Sequence, residues 1–264
     1  MDALIARITG SQVAATRPLH GGDLSEVTLV TLADGARLVA KRGPMVDREA
    51  VMLGIMGDAG APVPGVLGVG GNVLLLDYLP ETRPTPEGWR ALGLGLGTLH
   101  GQEARGYGWD DDYAFGPVAI PNGWMEDWAV FWAERQVLPL ARALPAPLAR
   151  RVEVAAGRLP ELIPARPRPA LLHGDLWTGN VLFGAGSAHL IDPASYHGDP
   201  EVDLAMLELF GSPHPAFREV YGRPEGDWAT RRAVYQLWPA LVHVSLFGAG
   251  YHGMLSARLD ALGT

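Results

Sequence analysis

The segment His173-Gly174-Asp175-Leu176-Trp177-Thr178-Gly179-Asn180 places a carboxylate five residues ahead of a carboxamide, and a second carboxylate, Asp192, follows twelve residues later. Between them, Val181-Leu182-Phe183 and Ala188-His189-Leu190 are strand-like and flank the turn Gly184-Ala185-Gly186-Ser187. The chain should therefore fold back and return Asp192 toward Asn180. One carboxylate that accepts a hydroxyl proton, with oxygen ligands for a divalent cation beside it, is the equipment of phosphoryl transfer. On that reading Asp175 is the base, and Asn180 and Asp192 are magnesium ligands. A bare Asp-x4-Asn is equally compatible with a capped turn, because both residue types favour turns. The order of strand, loop, hairpin and acid around it selects the chemistry.

A phosphate partner lies upstream. The chain contains one lysine, Lys41, against 20 arginines. A composition that replaces lysine with arginine elsewhere marks Lys41 as a position where the two are not equivalent. Lys41 ends a hairpin strand, and a lysine there can reach the α- and β-phosphates of ATP while a glutamate on the next helix holds it. Glu49 is the best candidate for that glutamate, with Glu81 as an alternative. Gly21, Gly22 and Ser25, in the turn before the hairpin, could bring backbone N–H groups and one hydroxyl close to phosphate.

These groups must be carried by recognisable elements. Residues 2–9 read as a short helix. Glu26 to Leu32 is rich in β-formers, Asp34-Gly35 supplies a hairpin turn, and Arg37 to Lys41 returns as a strand. Val46, Ala50, Leu53 and Met56 fall near helical spacing over 46–58, with Glu49 beside the stripe. A second hairpin is expected over 66–78 around Gly70-Gly71-Asn72. The polar, Pro-rich stretch 79–86 reads as a linker. The expected organisation is α+β, with an antiparallel-sheet lobe over 1–79 and a mainly helical lobe over 80–264. Helices are expected over 87–101, 123–144, 146–159, 200–211 and 227–248. Trp124, Trp128 and Trp132 would share one face of the second of these and be core.

Composition narrows the classes. There is no cysteine, so disulfides, thiolate metal sites and a cysteine nucleophile are excluded. The formal net charge is −8 and no basic stripe stands out, which argues against nucleic acid as a partner. No apolar run approaches the roughly 20 residues of a spanning helix, and the first residues do not read as a signal peptide. A cytoplasmic location without membrane attachment is expected. The run Asp110-Asp111-Asp112 reads as a solvated loop rather than a metal site.

The phrases His-Gly-Asp-Leu-Trp-Thr-Gly-Asn at 173–180 and Ile-Asp-Pro-Ala-Ser-Tyr-His-Gly-Asp-Pro-Glu-Val-Asp-Leu-Ala-Met at 191–206, followed by Phe210-Gly211, resemble the fructosamine/ketosamine kinases, within the aminoglycoside phosphotransferase-like, protein-kinase-like superfamily. Leu96-Gly97-Thr98-Leu99-His100 and the helix from Trp128 to Arg135 extend the likeness. The resemblance implies a bilobal kinase-like fold with ATP in the cleft and adenine against the backbone around Tyr78 and Leu79. It also implies phosphorylation of a sugar hydroxyl on a ketosamine, small or protein-bound, after which the adduct decomposes and releases the amine. Asp203 would brace the catalytic loop, and His173 would organise it. Trp177, two residues beyond the base, could wall the sugar-amine or simply pack. Kinases of aminoglycosides, choline or homoserine are the nearest alternative, and a non-catalytic nucleotide-binding protein is a more distant one.

Overall fold

The computed structural model describes residues 1–19 and 25–264; Gly21 and Gly22 lie outside the described residues. The N-terminal part is a five-stranded antiparallel sheet of order β1-β2-β3-β5-β4, made of Val13–Pro18 (β1), Glu26–Leu32 (β2), Arg37–Arg42 (β3), Val66–Gly70 (β4) and Val73–Asp77 (β5). The β2–β3 turn forms as the Asp-Gly pair demands. Gly35 adopts φ 86°, and the Asp34 carboxylate accepts the Ala36 N–H at 2.9 Å.

Strand periodicity sets which way Lys41 faces. Leu38 and Ala40 of β3, with Val73 and Leu75 of β5, pack with Ile5 of helix α1 (Asp2–Thr9) on one face. Val39 lies with Leu74 and Leu76 on the other, against Val46, Ala50 and Leu53 of α2 (Val46–Asp58). Covering on both faces explains why β5 reads as an unbroken apolar run rather than an alternating one. Lys41 is two residues beyond Val39 and so faces α2.

The rest is mainly helical. Thr85 caps α3 (Pro86–His100), its hydroxyl accepting the Gly88 N–H at 3.2 Å, with Pro86 opening the helix. A short hairpin, β6 (Tyr113–Phe115) and β7 (Val118–Ile120), precedes the large apolar core. The expected helix over 123–144 is shorter and broken. Asp127 caps its start by accepting the Val130 N–H at 3.0 Å, so α4 covers only Trp128–Phe131. A π-helical turn, Trp132–Val137, leads into α5 (Leu138–Ala141). Pro139 has no N–H to continue a regular ladder, and the turn ahead of it is widened. Trp128 and Trp132 are fully buried core residues, as expected. Trp124 is not on the helix: it is 44% exposed, and its indole N–H donates to Asp110 at 2.9 Å.

Helix α6 (Ala146–Leu162) follows as expected. Two-residue strands β8 (Ala170–Leu171) and β11 (His197–Gly198) pair and bracket the hairpin β9 (Val181–Phe183) and β10 (Ala188–Leu190). The helix expected over 200–211 ends early, as α7 (Glu201–Leu207). Helix α8 (Pro215–Tyr221) lies against α3, where Gly93 is so close that an added Cβ would stand 2.9 Å from the Phe217 carbonyl oxygen. The helix expected over 227–248 is two helices, α9 (Trp228–Tyr235) and α10 (Leu237–Phe247), which meet at Gln236. Pro239 lies in the first turn of α10, where its missing N–H costs nothing. A 3-10 turn, Gly248–Tyr251, leads into α11 (His252–Ala261). Among the described residues, no helix is long and apolar enough to cross a membrane.

Candidate active site

The hairpin β9–β10 joins the two acidic positions. Asn180 closes a 3-10 turn, Thr178–Asn180, and its carbonyl accepts the Ile191 N–H at 3.1 Å. Asp192 follows directly, with φ 56°, a left-handed conformation unusual for a non-glycine residue. Such strain clusters where a side chain must be aimed. Its carboxylate accepts from Lys41 Nζ at 2.8 Å.

Lys41 is buried, and its Nζ lies 2.7 Å from Glu49 Oε2 as well. Burial alone would lower its pKa, but Glu49 and then Asp192 outweigh it, so the ammonium is held above its usual value. Burial pushes the Glu49 carboxyl up, and Lys41 opposes that. The three-residue link from β3 to α2 is long enough because Glu49 sits one turn into α2, on the face turned to the sheet. Glu81, the alternative partner, is exposed.

Asp175 takes its place through its own loop. Asn180 Nδ2 donates to the Asp175 carbonyl at 2.7 Å and to its Oδ2 at 3.0 Å. The Asp175 N–H donates to His173 Nδ1 at 3.2 Å, and His173 Nε2 reaches the Ile191 carbonyl at 2.8 Å. One ring nitrogen thus accepts and the other donates, the pattern of a neutral imidazole, and burial lowers the His173 pKa in agreement. Burial pushes the Asp175 carboxyl up to about 7, against the Asn180 hydrogen bond. A base poised there suits proton transfer near neutrality.

The loop is anchored from behind. Asp203, fully buried on α7, accepts the His173 N–H at 2.7 Å and the Gly174 N–H at 2.9 Å, and lies 3.0 Å from His100 Nε2. His100 Nδ1 is 2.6 Å from the Tyr221 hydroxyl. Gly174 has φ 83°, and a Cβ there would stand 2.0 Å from the Ala194 carbonyl oxygen, so no other residue fits. Burial would push Asp203 up, but the His100 hydrogen bond and charge, with His173, hold it below the usual carboxylate value. Its stabilising contribution is therefore full above the unfolded carboxylate value of about 4 and is lost as pH falls below that. Asp203→Asn turns an amide N–H toward these donors. We expect a loss of about 1–3 kcal/mol in denaturant unfolding, because the remaining amide oxygen can serve only one of the two buried N–H groups.

The loop after Asp192 is also tied to α2. The Ser195 N–H lies 3.3 Å from Met52 Sδ, and the Ser195 hydroxyl 3.4 Å from Met56 Sδ. The helix that positions Glu49 and the loop that positions Asp192 are thereby packed as one unit.

Lys41, Glu49, Asp175, Asn180 and Asp192 all open on one cleft of about 410 Å³, together with Ser25 and Trp177. Tyr78 and Leu79, which follow β5, are not among its lining residues; the Arg37 guanidinium lies 4.3 Å over the Tyr78 ring. Asn180 spends its NH₂ on Asp175, so its Oδ1 is the atom left for a cation, on the cleft that the Asp192 carboxylate also lines. A carbonyl oxygen and a carboxylate suit magnesium, whose other positions go to phosphates and water. Among the described residues no group of three or more His, Asp or Glu could hold a metal unaided. Asp110 and Asp112 instead accept hydrogen bonds from Trp124 and from the Asn122 N–H. The cleft also contains Phe210, which lies just beyond the matched 191–206 phrase, and His243, Phe247 and Tyr251, which no sequence motif marks.

The fructosamine kinase family model matches residues 2–262. The chain belongs to the fructosamine kinase family. It is 37% identical over 258 residues to the "probable ketoamine kinase" of Thermus thermophilus, covering 92% of each chain. A Synechocystis relative of the same description is 38% identical over 196 residues, 69% of this chain and 64% of that protein. A crystal structure from Thermobifida fusca assigned as a fructosamine-3-kinase superposes with a TM-score of 0.90 at 36% identity, over 99% of this chain and 97% of the other. An aminoglycoside phosphotransferase with a TM-score of 0.70 at 17% identity, covering 99% of each chain, shares the fold. The family membership and the kinase-like fold make this chain a phosphotransferase acting on a hydroxyl acceptor.

Proposed function

We propose that this chain is an ATP- and magnesium-dependent kinase that phosphorylates a sugar hydroxyl of ketosamines of the fructosamine or ribulosamine type, a deglycation step in the cytoplasm. The observation that carries the reading is Lys41 held between Glu49 and Asp192 on the same cleft that Asp175 and Asn180 face. Lys41 positions phosphate, with Glu49 holding its ammonium. Ser25, which lines the cleft, serves the phosphates, as Gly21 and Gly22 outside the described residues are proposed to do, and the backbone around Tyr78 and Leu79 receives adenine. Asn180 Oδ1 and Asp192 would hold magnesium, which would neutralise phosphate charge. Asp175 aligns the acceptor hydroxyl and takes its proton as the phosphoryl group transfers in line. Residues 1–79 serve as the nucleotide lobe and 80–264 as the catalytic and acceptor lobe.

The relatives named as ketoamine kinases support this acceptor over an aminoglycoside. So does the cleft: its only carboxylates among the described residues are Glu49, Asp175 and Asp192, all engaged around phosphate and proton transfer. A polycationic drug would find no further acids there. Coupled measurement of ADP release with ribulosamine and fructosamine adducts, aminoglycosides, choline and homoserine tests the reading. Turnover is expected with the ketosamines, and turnover confined to another acceptor would refute it.

A further inference from the structure

One wall of the cleft is aromatic. His243 and Phe247 stand one turn apart at the end of α10, and Tyr251 closes the 3-10 turn after it, so the chain brings the three together. Their rings touch, with centroids 4.9 Å apart for His243–Tyr251 and 5.5 Å for Phe247–Tyr251. Phe210, just past α7, joins them through His243 at 5.6 Å. Trp177 joins Phe210 at 5.9 Å, and Trp177 is two residues from Asp175. The wall therefore begins at the reacting centre and runs outward.

Phe210 is 53% exposed, Phe247 47% and Trp177 37%. Large apolar groups left open together, in a concave site of small-molecule size, mark a ligand surface rather than a core. Among the described residues, the Lys, Asp and Glu side chains lining the cleft, Lys41, Glu49, Asp175 and Asp192, belong to the phosphate end. His243 is anchored by its Nδ1–H, which donates to the Pro239 carbonyl at 2.6 Å. The wall thus offers rings and, among the described residues, no Lys, Arg, Asp or Glu side chain. A substituent bearing a carboxylate or sulfonate would lose water there without a lysine or arginine to replace it.

We propose that this wall is the subsite for the amine-borne substituent of the acceptor, and that it selects ketosamines whose amine carries an apolar, ring-bearing group. The inference rests on the ketosamine reading above. With the sugar hydroxyl at Asp175, the amine and its substituent extend along Trp177 and Phe210 toward Phe247 and Tyr251. Aromatic contacts of this kind favour offset or edge-to-face packing of a ring.

Three ketosamines made from one sugar, with 2-phenylethylamine, ethanolamine and taurine, test it using the full chain and ATP. The phenylethyl adduct is expected to show a kcat/KM roughly 10- to 100-fold above the ethanolamine adduct, through KM, as burial of a phenyl ring on apolar side chains yields. The taurine adduct should be the poorest. Phe247→Ala and Phe210→Ala should each lower kcat/KM for the phenylethyl adduct about tenfold and leave the ethanolamine adduct within about twofold, with unchanged unfolding midpoints, because truncation removes only the ring contact. Equal use of the three adducts, or parallel losses on the phenylethyl and ethanolamine adducts in the variants, would overturn the inference and leave the ketosamine reading standing. Absence of turnover with all three, alongside turnover of a different alcohol, would overturn both.

Discussion

Asp175→Asn is expected to lower kcat by roughly 10²–10⁴-fold while nucleotide affinity is largely kept. The substitution is close to isosteric. The amide oxygen can still accept from Asn180 Nδ2, so the loop from His173 to Asn180 has no reason to rearrange. Asp203 also continues to hold that loop through the N–H groups of His173 and Gly174. What disappears is a group that can take a proton, together with a negative charge facing the acceptor hydroxyl. Burial places the carboxyl at about 7, so the wild-type group exchanges a proton near neutrality with little driving force lost in either direction. Steady-state kinetics paired with calorimetric titration of ATP would separate the two quantities. Unimpaired turnover would remove Asp175 from the role of base, and loss of ATP binding would place it in the nucleotide site.

Much of this arrangement is legible in the sequence because it depends on local rules. The Asp34-Gly35 turn fixes the β2–β3 pairing, and a period of two then turns Lys41 to the face that carries α2. A period near 3.6 puts Glu49 beside the stripe of Val46, Ala50 and Leu53, close enough to face the sheet. The hairpin between Asn180 and Asp192 brings them together by strand pairing alone. Where local rules compete, the outcome is harder to read. Asp127 is a strong helix cap, and it starts α4 four residues later than the spacing of Trp124, Trp128 and Trp132 suggests. Gln236 and Pro239 divide an apolar run that reads as one helix. Position in the catalytic loop marks Trp177 and the family resemblance takes in Phe210, but nothing marks Phe247. Apolar residues lining a cleft have the same composition as apolar residues filling a core, and only the tertiary packing leaves these exposed. The short β6–β7 hairpin, which puts Tyr113 and Phe115 in the cleft, is similarly too brief to declare a period.

The solitary lysine allows stability and catalysis to be separated. Lys41→Met keeps the length of the side chain and removes its charge. Glu49 is then left buried against a methyl group, and its second oxygen already has no hydrogen-bond partner among the described residues. Removing one member of a buried ion pair costs roughly 3–5 kcal/mol, because the remaining charge has neither water nor partner. We expect a loss of that order in denaturant unfolding, together with near-complete loss of phosphoryl transfer. Lys41→Met combined with Glu49→Gln removes the stranded charge, so most of the stability should return. Activity should not, because nothing remains to hold the phosphates in line. If the double variant stays as unstable as Lys41→Met, the pair is not the source of the loss, and Asp192, the other carboxylate on Nζ, is the group left uncompensated. If it regains turnover, Lys41 does not position phosphate at all. Lys41→Arg makes the same point from the other side. A planar, forked guanidinium is not a compact ammonium. In a site where Nζ touches two carboxylates at 2.7 and 2.8 Å, its bulk must displace Glu49 or Asp192. A chain that uses arginine at every other basic position keeps lysine where charge alone would not be enough.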